Sequence, residues 1–195
     1  DWLLAPSNVT IHYVTNDPRD GIFSLAETNP HIRAYYIGPV KIIPLMMKMD
    51  SDMVVMTTPD LNTYQIKRSY VRKDVEYVYI DHGPTSVHMC YRKGAFDHFD
   101  TIMANGPFQV AQHRATEKLY GLKEKRMVSS GYPILDSLLA VPPLEKASGT
   151  KRIMIAPSYQ KDCIPDSCLD DLIDSVMAAN PGCTVVFRPH PQYVR

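Results

Sequence analysis

Two histidines stand in sequence settings suited to proton transfer and phosphate binding. His82 lies in Asp81-His82-Gly83-Pro84, and His190 in Arg188-Pro189-His190-Pro191. A neutral imidazole accepts a proton from a hydroxyl near pH 7, so His82 is a candidate general base. Arg188 offers a permanently charged planar fork that fits phosphate, and prolines on both sides stiffen His190. Together these two could hold a phosphate. Asp81 adjoins His82, but successive strand residues point to opposite faces, so no pairing between them is expected. The competing structural account is plain: His82 caps a backbone group, Arg188 pairs with a surface carboxylate, and His190 turns the chain. His88, His98 and His113 lack ligand spacing and read as surface or core histidines. No Gly-x-Gly-x-x-Gly or Walker-type loop occurs, which disfavours a usual dinucleotide or P-loop site.

These residues need strands to carry them. Val75, Tyr77, Val78, Tyr79 and Ile80 form a nearly continuous β-branched and aromatic run, the pattern of a strand covered on both faces. Gly83 and Pro84 end it, Pro84 because it has no N–H and Gly83 because it tolerates dihedrals that other residues avoid. That puts Asp81 and His82 at a carboxyl strand end, where open α/β sheets bind ligands. The same placement recurs at Asn105-Gly106-Pro107, Gly131-Tyr132-Pro133, Pro157-Ser158-Tyr159-Gln160-Lys161 and the Arg188 motif. In parallel sheets these ends share an edge, so clusters from two domains could meet across a cleft. The candidate site is therefore His82 and His190 as catalytic residues, with Gly83, Arg188, Gly131 and Ser158 binding substrate or phosphate.

Strands are also expected over 9–14, 32–37, 52–58, 99–104, 126–130, 152–156 and 184–187. A short helix kinked near Pro44 is expected over 40–49. Pro107 opens a helix in which Phe108, Ala111, Ala115 and Leu119 form the apolar stripe and Gly121 the stop. A second helix starts at Ile134. A third spans 167–179, capped by Ser167 with Asp170, its stripe being Cys168, Leu169, Leu172, Ile173, Val176 and Met177. The basic segment at Gln65, Lys67, Arg68, Arg72 and Lys73 reads as a solvated helix face. Strand, helix and strand at this spacing predict an α/β fold with parallel sheets. Residues 141–150, with two prolines followed by small and polar residues, read as a linker between a domain at 1–140 and one beginning at 151–195. The second is expected to be truncated, too short for an independent core of normal size.

Composition narrows the classes. The 195 residues are 45% hydrophobic and 22% charged, with 21 basic and 21 acidic side chains, so no general polyanion-binding surface is implied and nucleic acid is not an expected partner. The most apolar run, 40–49, is interrupted by Lys41, Pro44 and Lys48 and falls short of a membrane span. No signal peptide is visible, although the chain opens on Asp1. The four cysteines, Cys90, Cys163, Cys168 and Cys183, form no Cys-x-x-Cys pair and read as reduced thiols of a cytoplasmic protein. No metal or cofactor is called for.

The ordered motifs H-G-P-T-S at 82–86, F-D-H-F-D-T-I-M-A at 96–104, G-P-F-Q at 106–109, S-G-Y-P-I-L-D at 130–136, I-M-I-A-P-S-Y at 153–159 and R-P-H-P at 188–191 resemble the CDP-glycerol glycerophosphotransferases. These are teichoic-acid primases and polymerases and related bacterial capsule enzymes. The resemblance covers roughly residues 75–191. It implies two Rossmann-like domains of glycosyltransferase-B type and transfer of glycerol phosphate, or a related alditol phosphate, from a CDP-alcohol to a hydroxyl. The implied partners are that donor and a polymer or lipid-linked acceptor, at the cytoplasmic membrane face. The family's two noted histidines match His82 and His190. Two departures stand out: Pro84 and Thr85 are exchanged relative to the usual His-Gly-Thr-Pro, with no Leu-Lys following, and a donor-binding Asp-Tyr-Ser-Ser-type run is absent. The isolated piece is accordingly expected to have little activity. A nucleotide-sugar glycosyltransferase of the same fold and a non-catalytic anion- or carbohydrate-binding relative are the alternatives.

Overall fold

The computed structural model describes residues 8–142, 149–160 and 162–193. The chain divides into two compact units, 1–140 and 141–195. Most of the expected linker, 143–148, lies outside the described residues.

Unit one begins with β1 (Ile11–Thr15), α1 (Ile22–Thr28) and β2 (Ile32–Tyr36), the two strands pairing in parallel. A 3-10 turn, Pro39–Lys41, leads into α2 (Ile42–Met47). The main sheet follows: β3 (Met53–Met56), β4 (Glu76–Ile80), α3 (Val87–Cys90), β5 (Thr101–Ala104), α4 (Pro107–Tyr120) and β6 (Arg126–Ser129), closed by α5 (Pro133–Leu139). Its order is β3-β4-β5-β6, every pair parallel. The order simply follows the chain, so these four strands contain no topological switch point.

β4 is interior, as its two-faced apolar run requires. Tyr77, Val78 and Tyr79 are all buried. Tyr79 packs against Tyr91, Phe96 and Phe99 with ring centroids 6.3, 4.8 and 5.3 Å away. Burying each such side chain contributes about 1.5–3 kcal/mol. Met46, Leu61, Val75, Val87 and Ile102 complete the core.

The basic segment after β3 is irregular rather than helical, because its cations have internal partners. Arg68 donates to the His98, Val75 and Asp100 oxygens and lies 4.4 Å over the Tyr77 ring. Arg72 bridges Asp50, Asp52 and Asp74.

α4 has the expected boundaries, with Pro107 in its first turn and Gly121 left-handed at φ 62°. Its buried face is not the expected one. Phe108 and Leu119 are 45% and 73% exposed, whereas Gln109, His113 and Glu117 are buried. The polar stripe wins because Gln109 and Glu117 are hydrogen-bonded to neighbouring loops and His113 stands at ion-pair distance from the buried Asp81 carboxylate. Glu117 accepts from Arg114 and from the Lys125 N–H.

Unit two pairs β7 (Arg152–Ile155) with β8 (Thr184–Phe187) in parallel, joined through α6 (Ile164–Ser167) and α7 (Leu169–Ala179). The expected capping box does not form. Ser167 ends α6, where its hydroxyl donates to the Cys163 carbonyl, and Cys168 stands at the start of α7 without a side-chain cap. Leu169, Leu172, Ile173 and Val176 still make the half-buried stripe, but Cys168 and Met177 are exposed. The chain is thus α/β with parallel sheets, and its four cysteines are free thiols. Among the described residues no helix is long and apolar enough to cross a membrane.

Candidate functional site

Because β3 to β6 run in parallel, their carboxyl ends share one edge of unit one. Three expected clusters arrive there: residues 81–84 after β4, 105–107 after β5 and 131–133 after β6.

Asp81 and His82 diverge, as strand alternation predicts. The Asp81 N–H continues the ladder to the Met103 carbonyl at 3.0 Å, and its carboxylate is buried. His82 is exposed. Its Nδ1 lies 3.4 Å from the Tyr79 hydroxyl, which itself donates to the Tyr91 hydroxyl at 3.0 Å. The Tyr79 hydroxyl thus stands between His82 and Tyr91, and which ring nitrogen of His82 carries the proton follows from the direction in which these hydroxyls donate. Burial, reinforced by the Tyr91 bond and the nearby charge of Asp81, pushes the Tyr79 phenol well above its ordinary value, so it stays a neutral donor.

Gly83 is held rather than strained. Its carbonyl accepts from Gln109 Nε2 at 2.9 Å, and an added Cβ would meet only Thr85 Cγ2 at 3.8 Å. It does not use the left-handed region, so conformational freedom is not why glycine stands there. Gly131 does, at φ +68°, with its carbonyl taking the Ser130 hydroxyl. Asn105 leaves its Nδ2 buried without a partner.

Gln109 is the binding post of this edge. Its Nε2 serves the Gly83 and Thr85 carbonyls, and its Oε1 accepts the Asn105 N–H at 2.8 Å. One turn later His113 places Nε2 at 3.5 Å from Asp81 Oδ2, an ion-pair distance too long for a hydrogen bond. Sequence reasoning missed Gln109 and the Asp81–His113 contact. The available signal was the i, i+4, i+8 spacing of Gln109, His113 and Glu117, which was overlooked because the apolar residues of the same helix drew the core assignment.

In unit two the same logic gathers residues 156–160 and 188–193 at one edge. The Arg188 N–H donates to the Ile155 carbonyl at 2.9 Å, while its side chain is exposed and unpaired among the described residues. His190 packs on Tyr159, ring centroids 4.5 Å apart, and its Nδ1 accepts the Gln192 N–H at 3.1 Å. A backbone amide can only donate, so Nδ1 carries no proton and Nε2 carries it. Ser158 is exposed beside Tyr159, and Lys161 lies outside the described residues.

Two cavities of about 290 and 280 Å³ in unit one are lined by neither His82, Gly83 nor Gly131. Among the described residues no group of three or more His, Cys, Asp or Glu is placed to hold a metal ion. No family model, curated protein or solved structure matches the chain.

Proposed function

We propose that this chain belongs to an alditol-phosphate transferase that moves glycerol phosphate, or a related alditol phosphate, from a CDP-alcohol to a hydroxyl. The observation that carries this proposal is the pair of strand-end histidines: His82 is exposed beside the Tyr79 hydroxyl, and His190 accepts the Gln192 N–H at Nδ1 and so has an Nε2–H to give. An exposed imidazole is what a general base needs, and an N–H donor with the Arg188 fork two residues away is what an anion site needs.

The acceptor hydroxyl oxygen attacks the phosphorus bearing the alditol. His82 Nε2 takes the hydroxyl proton, the bond from that phosphorus to the bridging oxygen breaks, and CMP departs with the electron pair. Arg188 and His190 stabilise the charge that gathers on the diphosphate. Ser158, Gly83 and Gly131 supply further polar and backbone contacts for substrate. Two Rossmann-like domains of glycosyltransferase-B type are the architecture that the family resemblance implies for such an enzyme, working at the cytoplasmic membrane face on a polymer or lipid-linked acceptor.

The test is a panel of CDP-alditols and nucleotide-sugars incubated with the full-length protein and acceptor, reading the released nucleotide. CMP release with a CDP-alditol alone is the expected result. Release of a nucleoside diphosphate from a nucleotide-sugar would assign the chain to glycosyl transfer instead.

A further inference from the structure

The Asp81 carboxylate has a side chain only 1% exposed, and neither of its oxygens has a hydrogen-bond partner. An isolated buried carboxylate costs several kcal/mol, so it needs a proton donor. His113 Nε2, also buried and unpartnered, is the ion-pair partner it has within 4 Å. Closing their 3.5 Å separation to a hydrogen-bond distance takes a movement of about half an ångström. Phe96 fixes the imidazole plane edge-on, 4.9 Å between centroids, so the ring cannot easily swing away.

We propose that Asp81 and His113 form a buried couple, with the proton on His113 Nε2, that positions His82. Asp81 precedes His82 and Gly83 follows it. α4 grips both, His113 through the Asp81 carboxylate and Gln109 through the Gly83 carbonyl at 2.9 Å. These two side chains are four residues apart and share one helix face. The base is thus clamped on both sides by one rigid element. His113 touches no reacting atom and acts as a positioning residue. This inference rests on the transferase proposal for its catalytic consequence, but not for the couple itself.

Two measurements separate those claims. In protein labelled with ¹⁵N-histidine, His113 should show a proton on Nε2 that exchanges slowly with water, and this protection should vanish in Asp81→Leu. A His113 proton on Nδ1, or one exchanging as fast as that of exposed His88, would overturn the couple whether or not the protein is a transferase. Kinetics of the full-length protein then test positioning. His113→Leu should lower both Tm and kcat, the latter by ~10²-fold, the scale of a misplaced catalytic group. His113→Gln, which can still donate to Asp81, should recover much of the rate. The double variant Asp81→Leu/His113→Leu removes the unpaired charge and should recover Tm while kcat stays low. Recovery of kcat together with Tm would show that the pair only stabilises the fold and would overturn the positioning role. A wild-type protein inactive on every CDP-alditol, with the Nε2 proton protected, would refute the transferase proposal and leave the couple standing.

Discussion

At His82 the base proposed for the reaction has the Tyr79 hydroxyl beside it, 3.4 Å from Nδ1. Tyr79 is buried in the aromatic cluster and bonded to Tyr91, and both keep its phenol protonated. The linkage sign follows. In the unfolded chain the phenol ionises near the ordinary 10.0, whereas the folded value is higher. Stability from this group is therefore fully present below pH 10 and declines as pH rises above it. Urea midpoints of Tyr79→Phe should fall less steeply above pH 10 than those of wild type. Parallel slopes would show that the phenol is not shielded. At neutral pH the same variant loses one hydrogen bond to Tyr91 and should cost about 1 kcal/mol. His190 offers a second check at this scale. Its ¹⁵N shifts should report an Nε2–H tautomer, since the Gln192 N–H occupies Nδ1; an Nδ1–H tautomer would remove the donor assigned to the phosphate.

α4 shows what one element contributes. Gln109→Ala would strand the Asn105 N–H and the Gly83 and Thr85 carbonyls together, a cost of about 1–3 kcal/mol for each group left buried and unpaired. Phe108→Lys and Leu119→Lys, on the exposed face, should change stability by no more than ~0.5 kcal/mol. Chemical denaturation of the three variants checks the contrast; a large loss at Leu119 with none at Gln109 would reverse the helix. The element's ends were legible in sequence, because Pro107 and Gly121 act through local backbone rules. Its buried face was not. Apolar periodicity assigns a face only where apolar residues are what the core receives, and here the neighbouring strand ends present carbonyls and a carboxylate instead. β4 was legible for the converse reason: Tyr77, Val78 and Tyr79 are all buried, so the core receives the apolar and aromatic side chains that the sequence pattern offers on both faces. Ser167 misled because a cap signal was read without the turn that Ile164 and Pro165 open before it.

At the scale of the whole molecule, the same device appears in each unit. Parallel strands deliver a polar loop to one edge, and a neighbouring group meets the Nδ1 of the histidine, the Tyr79 hydroxyl at His82 and the Gln192 N–H at His190. Asp81-His82 and Arg188-Pro189-His190 were visible in sequence because strand, turn and charge are local features. Tyr79 behind His82 and Tyr159 beside His190 are tertiary contacts that no spacing rule announces. In the proposed transferase the two histidines do different work, deprotonation at His82 and diphosphate binding at His190. The most direct measurement is donor affinity and kcat, side by side, for His82→Ala and His190→Ala in the full-length protein. His82→Ala should keep its melting temperature and its affinity for a CDP-alditol, lose kcat by ~10²–10⁴-fold, and lose the acid limb of its pH–rate profile. His190→Ala should weaken donor binding and turnover together, since a phosphate contact acts in the ground state and the transition state alike. A His82→Ala protein with normal melting temperature and normal turnover would contradict the account and return His82 to the role of a strand-end cap.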